Sequence, residues 1–296
     1  MKNSLLLIGG SNIDFIAKSD KKIIKGTSNI GSVSITNGGV MRNIAENLAR
    51  LGNQIDFITA IGNDPLGISL KQELLDLGIK IYTPNAEAST GSYVAILDED
   101  HDLKESICDN KINDAITIEF LKENSNLIDS HEYIAIDTNL NQDIIDFLFK
   151  SFPNKKYIVD GISPVKVLKI KDYLSQIFLI KCNIKEARSL MGIDLVDKDL
   201  VSGLLARGCQ NVVVSHGSKD IYFGTNVRYK IDLVHVEEVK SIENTTGCGD
   251  ALTSGVIDYY LSGKKLKEAV AFGYELSKLT LMSKGATSKE ISKFAN

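Results

Sequence analysis

The residues best suited to chemistry form a glycine-rich turn in the last fifth of the chain. Thr246 is followed by Gly247-Cys248-Gly249-Asp250, and the segment from Ala251 to Tyr260 has the spacing of a helix with one apolar face. The turn is therefore expected at a helix N-terminus, where converging backbone N–H groups and the helix dipole favour an anion. A phosphate, or the charge that develops during phosphoryl transfer, is such an anion.

Asp250 begins this helix, and by itself it has two interpretations. An aspartate at a helix start is commonly a cap, whereas a carboxylate beside an anion site can act as a general base. The chain lacks Gly-x-x-x-x-Gly-Lys-Ser/Thr and the loop signatures of protein kinases. A P-loop and a protein kinase are therefore excluded.

Two further glycine clusters lie in the N-terminal part of the chain. Gly38-Gly39 precedes a helical pattern with Asn43 in its first turn, and a double glycine lets a ligand approach the backbone closely. Asn12 and Asp14 follow the first strand pattern, where polar side chains face the ligand crevice of an open parallel sheet. An amide and a carboxylate on one face suit sugar hydroxyls, although each cluster alone is equally compatible with a tight turn.

Strand and helix patterns alternate along most of the chain. Short apolar runs typical of buried strands are Ser4 to Ile8, Ile55 to Ile61, Tyr133 to Ile136, Tyr157 to Val159, Ile177 to Ile180 and Asn211 to Val214. One helical pattern runs from Met41 to Leu51 and a second from Leu66 to Leu77. Further helices are expected between the later strands. This alternation predicts an α/β fold with a mostly parallel central sheet and helices on both faces.

Two segments with β-branched alternation interrupt that order. Ser28 to Thr36 and Gly91 to Ile107 are expected to pair as a small antiparallel sheet, which in an α/β protein often covers a binding cleft as a lid. The chain has no internal repeat and no Pro- or Ser-rich linker. We therefore predict a single domain over 1–296, with a β lid contributed by about 16–36 and 91–107.

Charge and hydropathy exclude several classes of partner. The net charge is -4 and no long basic cluster occurs, which argues against a nucleic-acid partner. No stretch approaches the ~20 apolar residues of a membrane span, and the N-terminus lacks a signal cleavage pattern. The four scattered cysteines include no C-x-x-C pair, which disfavours a disulfide framework or a zinc site. These features predict a cytoplasmic protein without nucleic-acid or membrane partners.

The three glycine-containing clusters also share an order along the chain. Gly10-Ser11-Asn12-Ile13-Asp14, Gly38-Gly39-Val40-Met41-Arg42-Asn43-Ile44-Ala45 and Asn244-Thr245-Thr246-Gly247-Cys248-Gly249-Asp250 together resemble the ribokinase-like, or PfkB, carbohydrate kinase family. The resemblance runs from about Leu5 to Ala286 and implies the ribokinase-like fold, with Asp250 as the base rather than a cap. It also implies that Gly247, Cys248 and Gly249 form an anion hole, and that the first two clusters grip a sugar.

The resemblance extends to segments expected at a nucleotide site. Asn183 and Glu186 match the family's Asn-x-x-Glu motif, linked to phosphate positioning and, through water, to Mg²⁺. For this pair alone, a helix cap with a surface glutamate is the alternative. Ser215 and Gly217 match a strand end beside ATP, and Gly285 matches a segment near the adenine pocket. ATP and Mg²⁺ are the implied cofactors.

Within the family, several segments are similar to the pseudouridine kinase subgroup. They are the run from Gly38 to Gly52, Asn244, the run Asp137-Thr138-Asn139-Leu140 and the run from Asp160 to Lys166. This similarity implies phosphorylation of the 5′-hydroxyl of pseudouridine, with Asn139 and Lys166 facing the substrate. Asn244 replaces an aspartate that helps hold a monovalent cation in many relatives, so support for K⁺ as a cofactor is weak.

Other functions remain open at this stage. Another family kinase, acting on ribose, fructose, uridine or adenosine, differs only in pocket residues. A non-catalytic nucleoside- or sugar-binding protein on the same fold is disfavoured by the intact Asp250, Asn183 and Glu186. A dinucleotide enzyme is disfavoured because the first turn lacks Gly-x-Gly-x-x-Gly. Pairing of lid strands across a homodimer, and oxidation of a reactive Cys248, are two further hypotheses.

Overall fold

A computed structural model describes residues 4–100, 102–227, 230–239 and 242–295. Its strands are β1 (Ser4–Ile8), β2 (Asn12–Ser19), β3 (Gly31–Gly38), β4 (Gln54–Ile58), β5 (Lys80–Tyr82), β6 (Gly91–Leu97), β7 (Leu103–Asp109), β8 (Tyr133–Asp137), β9 (Lys156–Asp160), β10 (Ile177–Asn183), β11 (Asn211–His216), β12 (Lys219–Thr225) and β13 (Ile231–Val234). Its α-helices are α1 (Val40–Arg50), α2 (Pro65–Asp76), α3 (Ile118–Glu123), α4 (Ser125–Ser130), α5 (Gln142–Ser151), α6 (Ile184–Met191), α7 (Asp197–Ala206), α8 (Cys248–Leu261) and α9 (Leu266–Leu281).

The central sheet, as far as the described residues show, has nine strands in the order β13-β12-β11-β10-β9-β8-β1-β4-β5. Pairing is parallel from β5 to β11, and β12 and β13 add an antiparallel edge. Leu6 and Ile8 of β1 belong to one core cluster, whereas Leu5 and Leu7 belong to the other. The strand is apolar from Leu5 to Ile8 because helices cover both faces of the sheet. The predicted α/β class is confirmed.

A second sheet of four strands in the order β3-β2-β6-β7 forms over the N-terminal part of the molecule. Its strands include most of the segments expected to form a lid, but it begins at Asn12 rather than near residue 16. The expectation of a purely antiparallel sheet was wrong, because β2 and β6 pair in parallel. His101, within the expected lid, lies outside the described residues. Asn12 and Asp14 are therefore residues of β2 in this second sheet.

Three local expectations differ from the structure. The strand expected from Ile55 to Ile61 ends at Ile58, and β12 and β13 were not foreseen. No α-helix separates β9 from β10; a 3₁₀ helix spans Lys166–Gln176 instead. Its buried residues include Val167, Ile170 and Tyr173. A spacing of three aligns these side chains on one face of a 3₁₀ helix, which has three residues per turn.

The glycine turn is fixed through close packing of α8 against α9. A Cβ at Gly255 would lie 2.5 Å from the Cα of Gly273, so glycine allows the two helix backbones to approach each other. α8 also packs against α1. The turn at the start of α8 is thereby set against the start of α1. Among the described helices, none is both long and apolar enough to cross a membrane.

Candidate active site

The turn before α8 requires glycine at its centre. Gly247 is the N-cap of α8 with φ 81°, in the left-handed region, and a Cβ there would collide with the carbonyl oxygen of Ala286. No side chain caps this helix. The four N–H groups at the helix start, from Gly247 to Asp250, lack an intrahelical acceptor and are available to an anion.

Asp250 lies in the first turn of α8, after the cap position. Its carboxylate is buried, and Oδ2 accepts a hydrogen bond of 2.8 Å from Nδ2 of Asn43 in the first turn of α1. Burial, reinforced by the nearby Asp160, raises the pKa of Asp250 to about 7, while Lys181 and Asn43 oppose that rise. The geometry thus differs from that of a capping aspartate and matches a carboxylate poised near neutral pH.

A buried lysine lies directly beside the turn. Lys181 Nζ is 3.2 Å from Oδ2 of Asp160, and the same oxygen accepts a 2.8 Å hydrogen bond from the Thr253 hydroxyl. A Cβ at Gly249 would be 2.7 Å from this ammonium group. Although burial opposes its charge, Asp160, Glu186 and Asp250 raise the pKa of Lys181, so it remains a cation beside the anion site.

Sequence reasoning did not assign a role to Lys181 or Thr253. One signal was available: Lys181 interrupts the apolar run of β10 two residues before Asn183. A lysine inside a buried parallel strand needs a partner charge. The sequence does not show that Asp160 supplies it.

Gly38 and Gly39 make room for Asp14 and for the loop after β1. A Cβ at Gly38 would collide with the carboxylate of Asp14. Gly39 has φ 96° as the N-cap of α1, and a Cβ there would lie 2.6 Å from the Gly10 carbonyl oxygen. Burial raises the pKa of Asp14 to about 6, with Arg42 opposing. Asn12 is buried as well, and its Oδ1 has no hydrogen-bond partner among the described residues.

Asn139 and Lys166 meet at the carboxyl ends of β8 and β9. Lys166 Nζ donates a hydrogen bond to Oδ1 of Asn139 at 2.5 Å, and both side chains are half-buried. Asp137 accepts from the Asn139 backbone N–H at 2.8 Å, and burial raises its pKa to about 6. Lys166 is therefore not a simple solvated helix residue.

The structure combines the two interpretations of Asn183 and Glu186. Asn183 caps α6, and together they form a capping box in which Glu186 Oε2 accepts from the Asn183 N–H at 2.8 Å. Glu186 is nevertheless buried, and burial raises its pKa to about 7, opposed by Lys181. Both carboxylate oxygens already contact Asn183. This pair would therefore reach a metal through water.

The remaining candidates lie around the same end of the sheet. Ser215 of β11 pairs in register with Asn183, and Gly217 follows with φ 57° and open space around it. The Thr246 N–H donates to Oδ1 of Asn244 at 2.9 Å, and the Asn244 amide in turn donates to the Lys284 carbonyl at 3.4 Å. In the described part of the chain, no hydrogen bond joins Gly217 or Gly285 to Asp250, Lys181 or Asp160.

Cys248 is a half-buried free thiol. Burial and the nearby Asp250 raise its pKa to about 12, which outweighs the favourable helix N-terminus. A thiolate is therefore disfavoured at neutral pH, and oxidation of Cys248 stays a hypothesis.

The fold and the site define a ribokinase-like phosphotransferase acting on a hydroxyl group. A carbohydrate kinase from Agrobacterium tumefaciens superposes with a TM-score of 0.82 at 27% identity, covering 99% of this chain and 96% of that one. Ribokinase from Giardia lamblia gives 0.82 at 15% identity over 99% of both chains, which shows the fold alone. The chain matches the model of the pfkB family carbohydrate kinases over residues 2–293 and belongs to that family.

Similar proteins include two that are named for nucleosides. The pseudouridine kinase of Escherichia coli (strain K12) is 29% identical, covering 98% of this chain and 94% of that protein. The guanosine-inosine kinase of Exiguobacterium acetylicum is 26% identical over 93% of each. These similarities are consistent with a sugar or nucleoside kinase.

Replacing Lys181 by methionine tests the charge balance of the site. Loss of the cation leaves Asp160 uncompensated and raises the carboxylate pKa values further, so the variant is expected to lose about 3–5 kcal/mol of stability at pH 8. The deficit should shrink at pH 6, because Asp250 and Glu186 already have pKa values of about 7 and are protonated there. Urea unfolding of the parent protein and the variant at pH 8 and pH 6 measures this difference in the free energy of unfolding.

The matched control is Lys181→Met combined with Asp160→Asn, which removes both charges of the pair. It should recover most of the lost stability. An equal deficit at both pH values that the second substitution does not relieve would contradict the assigned charge balance.

Proposed function

We propose that this protein is an ATP-dependent kinase of pseudouridine. It transfers the γ-phosphoryl group of ATP to the 5′-hydroxyl, giving pseudouridine 5′-phosphate and ADP. The observation that carries the proposal is the contact between Asn43 and Asp250 at the uncapped start of α8. It joins a polar side chain of the sugar-binding motif to a base with a pKa near neutrality.

The phosphoryl donor fits the charge and backbone of the site. The free N–H groups of the first α8 turn and the Lys181 ammonium offer positive potential to a triphosphate. The Arabidopsis thaliana ribokinase structure, with a TM-score of 0.77 at 18% identity, contains ribose and ATP. We assign Ser215, Gly217, Thr246 and Gly285 to the nucleotide.

Magnesium fits as an ion held chiefly by phosphate oxygens and water. Bound there, it would neutralise part of the phosphate charge. Asn183 and Glu186 would orient its water ligands, since the Glu186 oxygens are engaged by Asn183. K⁺ is the weaker part of the cofactor proposal, because the Asn244 side-chain oxygen already accepts from the Thr246 N–H.

The chemical step follows from the groups around Asp250. The hydroxyl oxygen forms a bond to the γ-phosphorus as the bond from that phosphorus to the β–γ bridging oxygen breaks, and the hydroxyl proton passes to Asp250. In a loose transition state the proton moves late, so an ordinary carboxylate suffices. Backbone N–H groups of Gly247, Cys248 and Gly249 stabilise the transferring group, and one such donor is typically worth roughly 3 kcal/mol.

The substrate is assigned to the space between the lid and the carboxyl ends of the strands. Asn12, Asp14, Gly38, Gly39 and Asn43 would hold the ribose. Lys166 would offer a cation, and Asn139 an amide, to the nucleobase of the substrate. The similarity to the E. coli pseudouridine kinase favours pseudouridine over other acceptors. The runner-up is a kinase of another nucleoside or sugar, supported by the guanosine-inosine kinase similarity. A cytoplasmic location, where ATP is available, is part of the proposal.

A coupled ADP-release assay over a panel of acceptors tests the substrate. Pseudouridine is expected to give the highest kcat/KM among pseudouridine, uridine, adenosine, guanosine, inosine, ribose and fructose, measured with and without Mg²⁺. Turnover confined to a free sugar would reject the nucleoside assignment. ATP-independent ligand binding without any turnover would instead favour the binding-protein alternative.

Asp250→Asn tests the base. The substitution keeps the shape and the Asn43 contact partner but removes the acceptor for the proton, so turnover should fall about 10²–10⁴-fold with substrate affinity nearly unchanged. In the parent enzyme, kcat/KM should fall as pH drops through about 7, because protonation removes the base. Asp258→Asn on the same helix is the matched control and should keep near-parental turnover. Equal turnover in both variants would reject the assignment.

We also propose that the lid pairs two copies of the chain. Strand register brings together, on one face, the apolar side chains of Phe15, Ala17, Val33, Ile35, Val94, Ile96 and Ile107. Val33 and Ile107 are 67% and 74% exposed. From strand spacing and rise, four strands of this length present roughly 450 Å². Two such faces would together bury roughly 900 Å², just below the ~1,000 Å² expected of a biological interface.

Sedimentation velocity tests the pairing. The parent protein is expected at twice 32.4 kDa. Ile107→Asp should give a monomer, because it would place an uncompensated charge within an apolar interface. Ile193→Asp, at a position 54% exposed outside the lid, is the control and should leave the mass unchanged. A monomeric parent protein would reject the pairing.

A further inference from the structure

A buried ion network adjoins the site and has no role in the proposed chemistry. The guanidinium of Arg42 is buried, and its Nη2 pairs with Glu46 one helical turn later on α1. Glu46 also pairs with Arg50 at 2.7 Å. Although burial would raise it, Arg42 and Arg50 hold the pKa of Glu46 below its ordinary value. Ionised groups are rarely buried in a helix without a function or a structural need.

The Nη1 end of the Arg42 guanidinium contacts the Asn37 carbonyl at 3.4 Å and also reaches the neighbouring side chain. Nη1 donates to Oδ1 of Asn43 at 3.0 Å, and Nδ2 of the same amide donates to Asp250 at 2.8 Å. Guanidinium carries donors only, and an ionised carboxylate carries acceptors only. Turning the Asn43 amide by 180° would set N–H groups against the guanidinium and oxygen against the carboxylate. One orientation therefore satisfies both neighbours.

We propose that Arg42 is a positioning residue for the transfer reaction: it holds the Asn43 amide in the orientation that donates to Asp250. One carboxylate oxygen, Oδ2, is engaged by that N–H. The other oxygen is left as the acceptor for the substrate proton. Glu46 compensates the buried charge of Arg42, and Arg50 at the half-exposed end completes the network. The catalytic role of Arg42 rests on the proposed function, whereas its contacts with Asn43 do not depend on that function.

The direction of the effect follows from the groups that face Asp250. These are Asp160 of β9, Asp137 of β8, Lys181 of β10, Cys248 of its own helix and Asn43 of α1. The Asn43 hydrogen bond favours the ionised carboxylate. If the amide loses its fixed orientation, this stabilisation is lost while the neighbouring acids remain. Protonation of Asp250 then becomes easier, and the base is present only at higher pH.

The test measures the Asp250 carboxyl directly by ¹³C NMR, with its signal identified by its loss in Asp250→Asn. The variant is Arg42→Met combined with Glu46→Gln, which removes the guanidinium donor together with its buried counter-charge and leaves the net charge unchanged. Its Asp250 titration is expected to move up by about one unit, a tenfold change in the ionisation equilibrium. The acidic limb of kcat should move by the same amount. Arg42→Lys, which restores a donor, should reverse part of the shift.

Arg50→Met is the matched control, since it breaks the same network without touching Asn43 and should leave the titration near the parental value. In an Asn43→Ala background, the Arg42→Met and Glu46→Gln pair should add no further shift, because the two residues act as one unit. An unmoved titration, an equal shift in Arg50→Met, or a full shift without Asn43 would each overturn the proposal. Absence of turnover with every acceptor would reject the kinase assignment, and the NMR titration would still decide the positioning role.

Discussion

The hydrogen bond from Asn43 to Asp250 joins two helix starts that are 207 residues apart in sequence, and the rest of the site depends on it. A carboxylate and an amide at 2.8 Å require both helices to be fixed to within a few tenths of an ångström. α8 is fixed by backbone contact with α9 at Gly255. α1 is fixed by Gly39, whose left-handed conformation turns the chain from β3 directly into the helix.

Electrostatics adds a second constraint on the same contact. Asp137, Asp160, Glu186 and Asp250 are all buried, and Lys181 is the cation among them that pairs with Asp160. Burial therefore raises several carboxylate pKa values toward neutrality. Such a cluster is expensive for stability and is typical of a functional site. The Asn43 amide and the Lys181 ammonium both favour the ionised form of Asp250. Without these two groups, more of the carboxyl would be protonated at neutral pH and unable to accept a proton.

Local sequence patterns predicted the framework of this arrangement well and its long-range contacts poorly. The apolar run of β1 and the turn into α8 follow from periodicity and glycine spacing, and both have the expected bounds within a few residues. The pairing of Lys181 with Asp160, and of Asp160 with Thr253 across 93 positions, depends on how strands order in the sheet. The residue pattern within a single strand does not indicate which strands will be its neighbours in the sheet. The parallel pairing of β2 with β6 escaped prediction for the same reason.

The strand β2 connects the substrate side of the second sheet to its apolar face. Successive side chains of a strand point to opposite faces, so Asp14 and Phe15 share one backbone but face different surroundings. Asp14 lies against Gly38, whereas Phe15 belongs to the apolar face of the second sheet. If a second copy covers that face, the strand that carries Asp14 loses freedom before substrate arrives. Part of the entropy cost of ordering the lid would then be met by assembly rather than by substrate binding. The apolar outer face and the polar inner face of one sheet would in this way serve the same reaction.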